Sequence, residues 1–178
     1  MKNNTQRIAI TAVLTALLLI IGPLAINVGP VPMTLQTLIV ALVASVASTR
    51  VSLTAIGLYI VLGALGLPVF AGYSSGFAVL IGPTAGYLWS FLLYAPIIGL
   101  TIKHTSNILA LIVANIVAVV VNLVIGTIWL SISTHMSATA AIAAGVTPFV
   151  LSGLIKIVVV VLATVLIRQA TQKMRLTV

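Results

Sequence analysis

Long apolar runs, broken by Gly, Pro and short polar clusters, make up most of the chain and predict helices rather than strands. Runs of this length and continuity read as membrane spans, since a helix needs about 20 apolar residues to cross a bilayer. The punctuation divides the chain into six: residues 8–26, 34–48, 51–67, 84–102, 108–130 and 147–167. The first ends near Gly22-Pro23, a helix stop. The second opens at Thr34-Leu35-Gln36, with Thr34 as the expected N-cap. Residues 68–87 interrupt the pattern between the third and fourth spans. That stretch mixes Gly72, Gly76, Gly82 and Gly86 with Ser and aromatic residues, as expected of a loop laid over a small-molecule site. Residues 27–33 form a Pro/Gly loop, and residues 131–145 a polar connection with room for a short interfacial helix. The reading is an all-α integral membrane protein, a single membrane domain over residues 1–178.

Composition agrees: 62% hydrophobic and 4% charged residues, with a mean hydropathy of +1.37, exclude an ordinary soluble domain. Lys2 and Arg7 before an apolar run imitate a signal peptide, but the run is long and lacks a small-x-small cleavage site, so a retained first helix is expected. There is no Asp or Glu, and the formal charge is +8. The cations are scattered singly, which argues against a nucleic-acid surface and for topology signals and lipid headgroup contacts. With six spans, Lys2, Arg7, Arg50, Lys103, Arg168, Lys173 and Arg175 fall on one side and none on the other. The positive-inside rule then puts both termini in the cytoplasm, in a multi-pass protein of the plasma membrane, with residues 68–87 facing outward.

The eighth cation changes the picture. Lys156 lies about eight residues into the sixth span, roughly 12 Å below Pro148, where a central lysine costs about 2.5–3.5 kcal/mol to insert. No carboxylate side chain exists to pair with it. Three options follow: a neutral amine, a lysine leaning on backbone carbonyls and the Ser152 hydroxyl, or one that receives an anion from outside. Ser152 and Lys156 at i, i+4 imitate a Ser/Lys dyad, but no oxyanion-hole motif accompanies them. Without Cys, carboxylate pairs, metal-ligand clusters or a Walker-type loop, no catalytic residue and no metal site is assigned, and the chain is not expected to be an enzyme. Gln36, near the start of the second span, and Asn122, deep in the fifth, read either as helix cross-links or as ligand contacts. Asn115, Asn122 and Trp129 recur every seven residues, on one helical face. Ala9, Ala12 and Ala16 give the first span a small-residue face that another helix can approach closely.

Five blocks carry a family resemblance. They are Val31-Pro-Met-Thr-Leu-Gln36, Gly63-Ala-Leu-Gly-Leu-Pro-Val-Phe-Ala71, Gly82-Pro-Thr-Ala-Gly-Tyr87, Asn122-Leu-Val-Ile-Gly126 with Trp129-Leu130, and Gly145-Val-Thr-Pro-Phe149 followed by Leu154-Ile-Lys156. In this order they resemble the BioY family, the biotin-specific S-components of energy-coupling factor (ECF) transporters. The resemblance implies a six-helix bundle that captures biotin at an externally facing site. It also implies a transmembrane coupling protein and a pair of ABC-type ATPases as partners; these hydrolyse ATP, and the chain itself carries no cofactor. On that template Phe70, Tyr73, Ser74, Ser75 and Tyr87 surround the ligand's ring system, Gln36 and Asn122 hydrogen-bond it, and Lys156 meets a polar or anionic group. Ala9, Ala12 and Ala16 become the face that docks the coupling protein. Where the family reads Pro-Phe-x-Pro-Gly-Asp-x-x-Lys, this chain reads Pro148-Phe-Val-Leu-Ser-Gly-Leu-Ile-Lys156, with Gly153 at the acidic position. Another vitamin or a biotin precursor as ligand, or a helical membrane protein that has lost its site, are the alternatives.

Overall fold

A computed structural model describes residues 4–26, 31–104 and 107–176. Lys2 and the first part of the 27–33 loop lie outside the described residues. The elements in order are α1 (Asn4–Ile21), strands β1 (Ala25–Ile26) and β2 (Met33–Thr34), α2 (Gln36–Val46), α3 (Thr49–Ala64), α4 (Ala85–His104), α5 (Ile108–Thr134), α6 (Ala138–Gly145) and α7 (Thr147–Leu176). Two short 3-10 turns, Ala71–Tyr73 and Phe77–Leu80, lie between α3 and α4. Three helical segments are long and apolar enough to cross a membrane: α1, α5, and α6 with α7.

Several element boundaries differ from the apolar runs. The run over residues 8–26 is helical only to Ile21, because residues 25 and 26 pair antiparallel with 34 and 33 (Ala25↔Thr34, Ile26↔Met33). That pairing also takes Thr34 out of the capping position. The N-cap of α2 is Leu35, although the Thr34 hydroxyl still accepts from the Gln36 N–H at 3.3 Å. At 11 residues α2 spans only about 16 Å, about half the hydrocarbon thickness. At its far end Ser48 is extended (φ −67°, ψ 151°) and starts α3 at once. The apolar helix α5 continues past residue 130 to Thr134 and stops where His135 turns left-handed (φ 55°). Ser137 then caps α6, its hydroxyl accepting from the Ala140 N–H, so the polar connection does hold a short helix.

The outward faces are apolar, with Ile8, Ile20, Leu151 and Leu166 among the exposed side chains, while the buried polar groups point inward. This is the arrangement hydrocarbon demands. Close packing of α4 on α5 depends on glycines. Tyr87 lies against Gly126, and the Trp129 side chain against Gly86. Two cations tie α2 to α7: the Lys156 ammonium donates to the Thr34 carbonyl (2.6 Å) and the Thr37 hydroxyl (3.0 Å), and the Arg168 guanidinium donates to the Ser45 carbonyl (3.2 Å).

Two alanine substitutions separate close approach from mere helicity. At Gly86 a Cβ would meet the Trp129 side chain and stand 3.0 Å from the Ile125 carbonyl, so Gly86→Ala should lower the thermal unfolding midpoint by about 2–6 °C. Nothing lies within 4 Å of a Cβ at Gly57, so Gly57→Ala should raise the midpoint by about 2–3 °C through helix propensity alone. Equal shifts in a thermal-shift assay would contradict this account of the α4–α5 contact.

Candidate functional site

A cavity opens between the start of α2, the 68–84 segment, α4, α5 and the N-terminal half of α7, with about 180 Å³ of accessible space. That is room for a small solute, and less than the roughly 300–1000 Å³ of drug-sized ligand sites. Its walls are mostly apolar, with polar groups at a few points.

Of the residues singled out in the sequence, Gln36, Phe70, Ser74, Tyr87, Asn122 and Lys156 line this cavity. Tyr73 and Ser75 do not. Gly72 (φ 63°) and Tyr73 (φ 62°) both adopt left-handed backbone in the 3-10 turn, and the Tyr73 ring is left exposed outside the cavity. The sequence reading also passed over Thr37, Thr84, Phe91 and Phe149, which line the wall as well. Thr37 and Phe91 sit inside continuous apolar helices, and only their register relative to the cavity identifies them. Ala9, Ala12 and Ala16 are exposed on α1, on the side away from its buried Leu14 and Leu18.

The loop over the cavity is pinned at many points. Its backbone bonds to Pro23 through Gly72 N–H (3.0 Å) and to Gly63 through Gly76 N–H (2.8 Å). The Trp89 and Trp129 indoles donate to the Leu80 and Gly82 carbonyls at 3.0 and 2.9 Å. Phe70 lies on Gly63, where any side chain would collide with its ring, and meets Tyr59 edge-on at 5.6 Å.

Three polar groups retain capacity for a ligand. Tyr59 donates to the Val69 carbonyl (2.9 Å), so it must accept from Gln36, whose amide nitrogen lies 2.6 Å away. This leaves the Gln36 carbonyl oxygen without a bond from the described residues. Asn122 is oriented the same way: its nitrogen donates to the Tyr87 carbonyl (3.0 Å) and the Ser90 hydroxyl (2.6 Å), and its oxygen is left over. Asn122 is thus both a helix cross-link and a cavity residue. Lys156 uses two of its three ammonium donors on Thr34 and Thr37. It leans on a carbonyl, as one sequence option had it, but on that of Thr34 in β2, outside its own helix; Ser152 donates instead to Phe149 (3.3 Å). The Tyr87 hydroxyl is committed to structure, donating to the Gly145 carbonyl (3.0 Å) and lying 3.2 Å from the Thr127 hydroxyl.

These features define a helical membrane protein built around a solute-sized cavity with two amide acceptors and one cationic donor. The BioY family profile matches residues 1–173, and the chain belongs to that family. It is 44% identical over 161 residues to the biotin transporter BioY2 of Lactococcus lactis, covering 88% of each chain. It is 37% identical over 150 residues to the biotin transporter BioY of Thermotoga maritima, covering 84% of this chain and 88% of that one. The crystal structure of an S-component for biotin from an ECF-type ABC transporter superposes with a TM-score of 0.84 at 24% identity, covering 95% of both chains; this likeness shows the fold.

The tyrosine hydroxyl offers a test of how α6 is held. Tyr87→Phe leaves the buried Gly145 carbonyl without its donor, at about 1–3 kcal/mol. Faster amide exchange over residues 138–145 and an unfolding midpoint lower by about 2–6 °C are expected. Unchanged exchange would mean the bond does not anchor α6.

Proposed function

We propose that this chain captures biotin from the outer side of the plasma membrane, as the substrate-binding subunit of an ECF-type transporter. One observation carries the reading: among the described residues, two amide oxygens and one ammonium donor are left open around a mostly apolar cavity. Biotin presents a ureido ring with two N–H donors, an apolar thioether ring and chain, and a carboxylate. The amide oxygens of Gln36 and Asn122 suit the ring N–H groups, the aromatic walls suit the apolar rings, and Lys156 suits the carboxylate. The start of α2 also opens into the cavity, and a helix N-terminus favours negative charge there. The role is binding and transport rather than catalysis. The names of the relatives, both biotin transporters, point the same way.

On this reading both termini are cytoplasmic and the loop over the cavity is extracellular. The exposed face of Ala9, Ala12 and Ala16 docks a transmembrane coupling protein, and ATP is hydrolysed by an ABC-type ATPase pair beneath it. A second reading keeps the fold and changes the ligand to another small vitamin or a biotin precursor. Gly153 favours it, since the cavity wall there carries no acceptor and a Cβ would find only Val119 nearby, at 3.6 Å.

Equilibrium binding of labelled biotin to the purified protein tests the assignment. Saturable binding is expected, weakened about 10- to 100-fold in Lys156→Ala through loss of a hydrogen bond to a charged group. Saturable binding of a different vitamin alone would support the second reading, and no stabilisation by any vitamin would reject both. For the docking face, Ala12→Leu with Ala16→Leu should abolish co-purification with the coupling protein while leaving ligand affinity unchanged. Survival of the complex would show that face to be wrongly assigned.

A further inference from the structure

One helical turn beneath the cavity, four helices each bury a polar residue. The inner end of the cavity wall is apolar and includes Ala41 of α2, Phe91 of α4, Val119 of α5 and Val160 of α7. Three or four residues further from the loop side, the same helix faces carry Ser45, Tyr94, Asn115 and Thr164. All four are at most 1% exposed. The antiparallel register of α4 and α5 sets Tyr94 level with Asn115. Asn122 bonds to the Tyr87 carbonyl, and seven residues inward along each helix lead to Asn115 and Tyr94. Asn115 donates to the Ser45 hydroxyl (3.2 Å), while Arg168, one turn beyond Thr164, donates to the Ser45 carbonyl (3.2 Å).

Three polar atoms of this layer have no hydrogen-bond partner among the described residues: the Tyr94 hydroxyl, the Asn115 carbonyl oxygen and the Thr164 hydroxyl. The Asn115 orientation is fixed by chemistry, because its nitrogen must face the Leu111 carbonyl at 2.9 Å. Thr164 stands apart from its own kind. The hydroxyls of Thr11, Thr15, Thr54, Thr101 and Thr171 each donate to the carbonyl four residues earlier. Thr164 sits in a helix that offers the same bond and does not make it.

Buried polar groups without partners are rare, and ordered water commonly supplies what the protein does not. We propose that this layer is a buried water-binding site, with the Tyr94 and Thr164 hydroxyls and the Asn115 carbonyl as its ligating groups. The donor set selects water. Arg168 and the lack of any carboxylate disfavour a cation, and the free amide oxygen of Asn115 disfavours an anion. Water both donates and accepts, so it serves the amide oxygen and the hydroxyls together. Such water links α4, α5 and α7 directly below the cavity and holds its inner wall in place, apart from any ligand the cavity takes.

Radiolytic hydroxyl-radical footprinting of the unaltered protein in lipid nanodiscs reads bound water beside buried side chains. Tyr94 should be labelled despite its burial; an unlabelled Tyr94 overturns the site. Thermal unfolding of Tyr94→Phe, Thr164→Val and the double variant gives a second readout. Each single change should lower the midpoint by about 2–4 °C, and the double change by less than the sum, because the two hydroxyls share bound water. Unchanged or raised midpoints in both single variants, as expected where a hydroxyl is buried dry, overturn it as well.

Discussion

The constraint on which the bundle depends is that no carboxylate side chain exists to meet a positive charge. Each cation that enters the bundle must end on an oxygen without formal charge, and backbone carbonyls are free mainly in the last turn of a helix or just outside one. Lys156 and Arg168 find them at the two ends of α2, on Thr34 and Ser45. The spacing fits, since 12 residues of α7 cover about 18 Å and the stretch from 34 to 45 covers nearly as much. Arg168 also meets the negative end of the α2 dipole. A helix too short to cross the bilayer is thereby held in register by the longest helix in the protein.

The loop over the cavity follows a related logic. A segment rich in glycine would be mobile if it were merely solvated, but here its backbone groups are spent on fixed partners: Pro23, Gly63 and the two indoles. The glycines that matter to the site are those that admit a ring. Gly63 receives Phe70 and Gly126 receives Tyr87, so two aromatic walls of the cavity are set by what is absent from the opposing helix. The glycines within the loop mostly serve backbone conformation, as Gly72 and Gly76 do with positive φ.

This division explains how much of the site was legible in the sequence. Lys156 stood out because a charge in an apolar run has few explanations, and Gln36 and Asn122 because amides there must bond to something. The loop aromatics could be named but not aimed. Phe70 turns inward and Tyr73 outward, and the difference lies in a left-handed turn at 72 and 73 that composition does not encode. Thr37 and Phe91 were invisible for the opposite reason, lying in helices apolar on every side. The helices themselves were legible as apolar runs, whereas the hairpin that shortens the first run and displaces Thr34 as a cap depends on pairing across a loop.

The state of Lys156 bears on capture and release alike. An ammonium held by a carboxylate would have to give up a full ion pair to serve an anionic ligand, a costly exchange in a low-dielectric site. Held by one carbonyl and one hydroxyl, it keeps its place on α2 and still has a third donor to offer. On the proposed reading the ligand's carboxylate adds to this arrangement instead of replacing part of it, so loading requires no break in the α2–α7 clamp. The missing acid at Gly153 then has two effects of opposite sign. It leaves the cavity wall without one acceptor for the ligand's ring, and it leaves the lysine without a competitor for the ligand's charge.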